Sequence, residues 1–156
     1  MKFGEALSEI GESELETIQR CNALFARSDA VSILRNALKS GAPERWGALV
    51  ALRYAPRSVL IELFSDLFQI SLETNDQVGM AHEIMFRLGR ETLDKELSKH
   101  VMELMNRDHL TWEEFRRVCA LLDKLGYPDL IRIVIARASE SEDPDIAEVV
   151  EDYGNL

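Results

Sequence analysis

Apolar residues recur along nearly the whole chain at the three- and four-residue spacing of an α-helix. The clearest run covers 59–70, where the apolar residues are Val59, Leu60, Leu63, Phe64, Leu67, Phe68 and Ile70. The other face of the same predicted helix carries the polar residues Glu62, Asp66, Gln69 and Glu73. The stretches 93–104 and 130–138 repeat the pattern, and the sequence lacks the alternation expected of β-strands. The pattern therefore predicts an all-α protein whose helices each bury one face.

Residues that start and stop helices divide this pattern into eight or nine predicted helices. Four prolines stand where a first helical residue is expected, since the missing N–H costs nothing there: Pro43, Pro56, Pro128 and Pro144. Three pairs at capping-box spacing mark helix starts: Ser13 with Glu16, Thr74 with Gln77, and Thr111 with Glu114. Three glycines that can adopt a left-handed conformation follow helical runs: Gly41, Gly89 and Gly126. The predicted ranges are 13–27, 30–39, 43–54, 57–73, 76–88, 91–106, 112–125, 128–139 and 144–153.

The predicted helices also repeat in pairs. Arg53, Arg87 and Lys124 each stand at a helix end, before a tight turn and a second apolar helix, at offsets of 34 and 37 residues. Because one helix pair cannot bury its apolar face alone, repetition at this period is typical of helical solenoids. The turn motif Leu-Gly-Tyr-Pro-Asp-Leu-Ile at 125–131 resembles that of HEAT-like repeats, and the resemblance covers about residues 43–139. The resemblance implies a right-handed stack of antiparallel helix hairpins, a HEAT-like α-solenoid.

Charge is distributed unevenly along the 156 residues, which we expect to form a single all-helical domain, 1–156. The formal net charge is −10, and residues 1–16 contribute −4 while residues 140–156 contribute −7. The stretch between them is close to neutral. Nucleic-acid binding requires a net basic footprint, so we expect no nucleic-acid partner. The acidic balance favours a basic protein partner instead.

The sequence offers little chemistry for catalysis or for metal binding. It contains no phosphate-binding loop, HExxH motif or calcium-binding loop. The three histidines, His82, His100 and His109, are too scattered to form a ligand set, and Cys21 and Cys119 lie in apolar helical runs as two reduced thiols would. We therefore expect no enzyme activity, no cofactor and no metal.

Acidic residues near the start of the chain occupy the place where a signal peptide needs an apolar core. No stretch reaches the roughly 18 consecutive apolar residues that a membrane span needs. We therefore expect a cytoplasmic protein without a membrane partner, monomeric on its own.

The chain resembles the helical immunity proteins of bacterial contact-dependent and polymorphic toxin systems. The resemblance lies in its small size, its predicted helical scaffold, its acidic charge and its lack of a catalytic set. This resemblance implies binding and neutralisation of a basic toxin domain, for example a nuclease, by carboxylates that take the place of nucleic-acid phosphates. The predicted partner-binding residues are Glu62, Asp66, Glu73, Asp143, Asp145, Glu148, Glu151 and Asp152.

Two other functions stay open at this point. An adaptor or assembly protein would bind a peptide or helix in the concave groove of the solenoid, with weak salt dependence because the contact is apolar. A HEAT-like nucleic-acid-modifying enzyme would need an acid beside an aromatic pocket, a feature that one sequence does not reveal.

Overall fold

The computed structural model describes residues 3–155, with Phe3 described by its backbone alone. Within this range the chain forms ten α-helices and no β-strand, which confirms the predicted all-α class. The helices are α1 (Phe3–Phe25), α2 (Ala30–Lys39), α3 (Glu44–Leu52), α4 (Arg57–Glu62), α5 (Phe64–Ser71), α6 (Val78–Phe86), α7 (Arg90–Met105), α8 (Trp112–Leu125), α9 (Pro128–Ala138) and α10 (Pro144–Tyr153).

Helix α8 shows how local sequence sets helix ends. The Thr111 hydroxyl accepts a hydrogen bond from the backbone N–H of Glu114 at 3.2 Å, and the Glu114 carboxylate accepts one from the backbone N–H of Thr111 at 2.8 Å. This reciprocal pair is the predicted capping box. Gly126 ends the helix in the left-handed conformation, with φ 76° and ψ 47°. Because both ends are specified locally, the predicted range 112–125 coincides with α8.

Two predicted helix ranges are wrong. Helix α1 begins at Phe3 rather than at 13, so Ser13 lies inside the helix and caps nothing. The range predicted as one helix, 57–73, is two helices, because Leu63 adopts φ −101° and ψ 8° at the end of α4 and interrupts the helical geometry.

Several residues predicted to start or to end helices occupy other positions at the helix ends. Pro43 and Pro56 are N-cap residues of α3 and α4 rather than first helical residues. Gly89 has a positive φ of 75°, but it precedes α7 as the N-cap residue. Thr74 closes no capping box, because Gln77 is itself the N-cap residue of α6 and makes no side-chain cap.

The chain divides into two compact units, the first ending at Asp66 and the second beginning at Leu67. The single domain predicted from chain length stays a prediction.

In the first unit α2 packs against α3. Its buried apolar residues come from α1 to α4 and from the start of α5, and the larger ones include Cys21, Leu34, Leu38, Leu49, Leu52, Leu60, Leu63 and Phe64. The Tyr54 hydroxyl donates a hydrogen bond to the carboxylate of Glu14, which joins the segment after α3 to α1. Between Gly4 and Ser13 every residue except Ala6 is exposed. Helix α1 is therefore anchored through its second half.

In the second unit α8, α9 and α10 pack against one another, and α7 packs against α6 and α9. A clamp ties the turn between α8 and α9 to α7. The Tyr127 hydroxyl donates a hydrogen bond to Asp94 at 2.6 Å, and the guanidinium of Arg90 lies 4.0 Å from the centre of the Tyr127 ring. Arg90 also pairs with Asp94 at 3.0 Å. The clamp fixes the helices against which α10 packs.

Candidate partner-binding surface

Helix α10 and its N-cap residue carry five of the eight predicted partner-binding residues, and local capping fixes where the helix starts. The carboxylate of Asp143 accepts a hydrogen bond from the backbone N–H of Asp145 at 2.9 Å, and Pro144 follows as the first helical residue. Ile146 and Val149 are buried, at 4% and 0% exposed. The helix is therefore held in the core of the second unit by one apolar face.

The opposite face of α10 presents carboxylates to solvent. Asp145, Glu148, Glu151 and Asp152 are all exposed. Arg116 of α8 pairs with Asp152 at 2.9 Å and with Glu148 at 3.6 Å. One guanidinium thus holds two of these carboxylates in place, while their side chains stay 48% and 68% exposed respectively.

Asp66 is placed differently from the α10 acids. Its side chain is 13% exposed and pairs with Arg35 at 3.2 Å and with Lys39 at 3.8 Å. Arg35 also donates a hydrogen bond to the backbone carbonyl of Glu62 at 2.8 Å. Asp66 therefore joins α2 to the start of α5, whereas the side chain of Glu62 is exposed.

Glu73 lies after the end of α5, is half-buried and accepts a hydrogen bond from the Asn75 amide at 2.5 Å. It lines a hollow of about 220 Å³ that holds both signs of charge. The lining residues are Gln69, Leu72, Glu73, Leu104, Arg107, Glu114 and Arg117. Since Arg107 pairs with Glu114 at 3.6 Å in this hollow, Glu73 contributes to a mixed surface rather than to an acidic one.

The structure brings the five acids of 143–152 together on one short segment, but it does not place Glu62, Asp66 and Glu73 on one continuous helix. The break at Leu63 separates Glu62 from Asp66, and Glu73 follows the last residue of α5. The predicted stripe along 57–73 is therefore not a single helix face.

A surface that the sequence reasoning missed lies on the first half of α1. Leu7 and Ile10 are 68% and 65% exposed, although apolar residues of this size are usually covered. The signal was present, because Ala6, Ile10 and Thr17 continue the helical spacing that reaches the buried Cys21. Five glutamates among residues 5–16 obscured it by giving the segment the composition of a solvated end.

Neither thiol has the character of a nucleophile. Burial raises the pKa of Cys119 to about 12, and burial together with the nearby Glu14 carboxylate raises the pKa of Cys21. Because the thiolate is the reactive form, both groups are protonated and unreactive near neutral pH.

Within residues 3–155, no group of three histidine, cysteine or carboxylate side chains has the arrangement of a metal site. In the same range no helix is both long and apolar enough to cross a membrane. Comparison with family models, with curated proteins and with solved structures gives no match to this chain.

Proposed function

We propose that this protein is a cytoplasmic binding protein rather than an enzyme, and that it recognises a basic protein partner through exposed carboxylates. In its most concrete form it is an immunity protein that binds and neutralises a basic toxin, for example a nuclease. The observation that carries the proposal is α10, which directs Asp145, Glu148 and Glu151 to solvent while Ile146 and Val149 hold it in the core.

Charge at an interface acts before the two proteins touch. Fixed carboxylates on a rigid helix attract a basic surface over the range of a Debye length and orient the encounter. Such charges raise the association rate and exclude wrong partners more than they raise affinity. A nuclease cleft is basic because it binds phosphate, and a row of carboxylates matches that charge.

The predicted residues outside the exposed face of α10 have different roles in this proposal. Asp143 caps α10 and orients its first turn. Glu62 and Glu73 add negative charge outside α10, and Asp66 acts through its ion pairs with Arg35 and Lys39. In the full proposal the helix pairs stack as a HEAT-like α-solenoid, which would give these acids a fixed scaffold.

The test has two stages. Tagged protein is first used to capture its partner from the cells that express it, with elution by increasing salt, and the partner is then purified. The association rate is next measured at low salt for the wild-type chain and for Asp145→Lys/Glu151→Lys. We expect the association rate to fall at least about tenfold and its salt dependence to weaken, because two attractive charges become repulsive.

A matched control carries the same change in net charge on other helices. Glu83 on α6 and Glu103 on α7 are also exposed, so Glu83→Lys/Glu103→Lys alters total charge but leaves α10 intact. Equal association rates for the two double variants would refute α10 as the contact surface. A partner that is acidic, or that resists elution by salt, would refute the charge-based proposal as a whole.

A further inference from the structure

An open apolar hollow lies between α1 and α3 in the first unit. Its volume is about 290 Å³, and its lining is mostly apolar. The lining residues are Thr17, Arg20, Cys21, Leu24, Gly47, Val50 and Ala51. Cys21 and Ala51 are 6% and 7% exposed and form the covered part of its surface. The hollow is shaped by the absence of a side chain at Gly47, where an added Cβ would meet nothing within 4 Å.

A second hollow continues along the same helix. It is lined by Ala6, Glu9, Ile10, Ser13 and Glu14, all on α1, and has a volume of about 380 Å³. Positions 6, 10, 13 and 17 follow the three- and four-residue spacing that keeps side chains on one helix face. The face of α1 that packs on the first unit through Cys21 therefore continues upstream to Ile10, whose side chain is 65% exposed.

Charge shows which kind of partner this face accepts. Glu9 and Glu14 line the upstream hollow, and Glu12 is exposed on the same helix. The base that lines the first hollow, Arg20, is paired with Glu16, so the upstream hollow carries the uncompensated negative charge. A second copy of the chain would bring the same carboxylates against these and would be repelled. Anionic membrane surfaces would be repelled too, since helices that lie on membranes carry lysine and arginine on their polar face.

We propose that the two hollows form one docking groove, the α1–α3 groove, which binds an amphipathic helix whose apolar stripe is flanked by lysine or arginine. An amphipathic helix laid in an apolar groove is a recurrent mode of recognition. The inference rests on the proposed function, because it takes the basic protein partner from there and adds the element by which that partner is held. In this proposal the apolar stripe of the bound helix covers Ile10 and the surface around Gly47. The lysine or arginine residues beside the stripe contact Glu9 and Glu14.

The test uses three fluorescent peptides of about 18 residues, or five helical turns. One has a leucine stripe flanked by lysines, the second has the same stripe flanked by glutamates, and the third is a scrambled form of the first. Fluorescence anisotropy with the full chain measures binding. We expect only the lysine peptide with the intact stripe to bind well.

A variant that fills the groove distinguishes peptide binding in the groove from peptide binding to any other acidic surface of the protein. Gly47→Leu places a side chain in the α1–α3 groove, and we expect it to weaken binding of the lysine peptide about tenfold or more. Gly79→Leu is the matched control, because Gly79 is also a helical glycine with open space around it. Both substitutions replace a glycine within a helix and so favour folding. Loss of peptide binding therefore reports the groove and not the stability of the chain.

Each result decides the inference. Equal binding of the scrambled peptide, or equal affinity of Gly47→Leu and wild type, would overturn the groove while leaving the charge-based recognition by α10 standing. Equal binding of the glutamate peptide would overturn the basic flank, and no binding of the lysine peptide would overturn the whole inference.

A concentration-dependent dimer that Gly47→Leu dissociates, detected by sedimentation, would assign the groove to a second copy instead. Failure of the α10 charge variants to slow association with the purified partner would remove the proposed function without changing the peptide result.

Discussion

The two acidic regions of the chain, the first half of α1 and the segment 140–156, have similar composition but opposite packing. In α10 the apolar positions Ile146 and Val149 are buried and the acids face solvent. In α1 the acids are also exposed, yet Leu7 and Ile10 remain about two-thirds exposed beside them. Both regions carry carboxylates at helical spacing, so charge alone does not distinguish them.

The difference shows what each surface is suited to bind. A helix whose apolar face is already covered offers fixed charge, which steers a partner and selects it. A helix whose apolar face is still exposed also offers apolar surface that a partner can bury. Burial of apolar surface is the main source of association free energy. The proposed steering by α10 and the proposed anchoring in the α1–α3 groove are thus separable, and they can be tested separately.

The largest expected difference comes from one substitution made on both helices. Ile146→Ala removes a side chain that is 4% exposed and should lower the free energy of unfolding by about 2–5 kcal/mol through lost burial and a residual cavity. Ile10→Ala removes a side chain that is 65% exposed and should change it by less than about 0.5 kcal/mol. Urea unfolding followed by circular dichroism measures both changes.

Each unit contains one tryptophan, Trp46 in the first and Trp112 in the second, so fluorescence can report on each unit. Single-tryptophan variants carrying Trp46→Phe or Trp112→Phe serve as the backgrounds for this measurement. A loss of more than about 1 kcal/mol for Ile10→Ala would show that the first half of α1 is packed in solution. That outcome would end the contrast between the two regions.

The predictable part of the fold is the part set by local sequence. Thr111 and Gly126 fix both ends of α8, and Pro144 fixes the start of α10, so these helices could be read from residues adjacent to them. The all-α class followed from apolar spacing that repeats over the whole chain.

The rest depends on contacts between residues distant in sequence. Asp66 was expected on an open acidic stripe, but Arg35, 31 residues earlier, pairs with it, and no local pattern encodes that contact. The interruption at Leu63 was not visible because its neighbours have ordinary helical spacing. The groove beside Gly47 required knowing that α1 and α3 meet.

Mild acid should affect the second unit through His82, which is buried in α6. Burial and then the positive charge of Lys124 lower the pKa of this imidazole below its usual 6.5, and the backbone of Ser71 acts in the opposite sense. The unfolded chain therefore binds the proton first as pH falls. Stability is full above about pH 6.5 and decreases as pH falls from there towards the lower folded pKa, by at most about 1.4 kcal/mol per pH unit.

The measurement is the free energy of unfolding by urea between about pH 7.5 and 5.5, a range that lies above the reference pKa values of aspartate and glutamate. His82→Leu has no titrating group at this position and isolates the contribution, since the other histidines are present in both chains. We expect the variant to lose less stability than the wild type across this range. Identical slopes for the two chains would show that His82 is not protected from protonation by the fold of the second unit.

The smallest expected effect concerns how α10 holds its carboxylates. Arg116→Gln removes the ion pairs to Asp152 and Glu148, and it should lower the free energy of unfolding by about 0.5–1 kcal/mol at low salt, because these pairs are partly exposed. Arg20→Gln in α1 removes the pair to Glu16 and should cost less, since that arginine is 78% exposed. Both costs should shrink as salt rises. Urea unfolding at two salt concentrations measures them, and a larger cost for Arg20→Gln would mean that α1, rather than α10, holds the better ordered acidic surface.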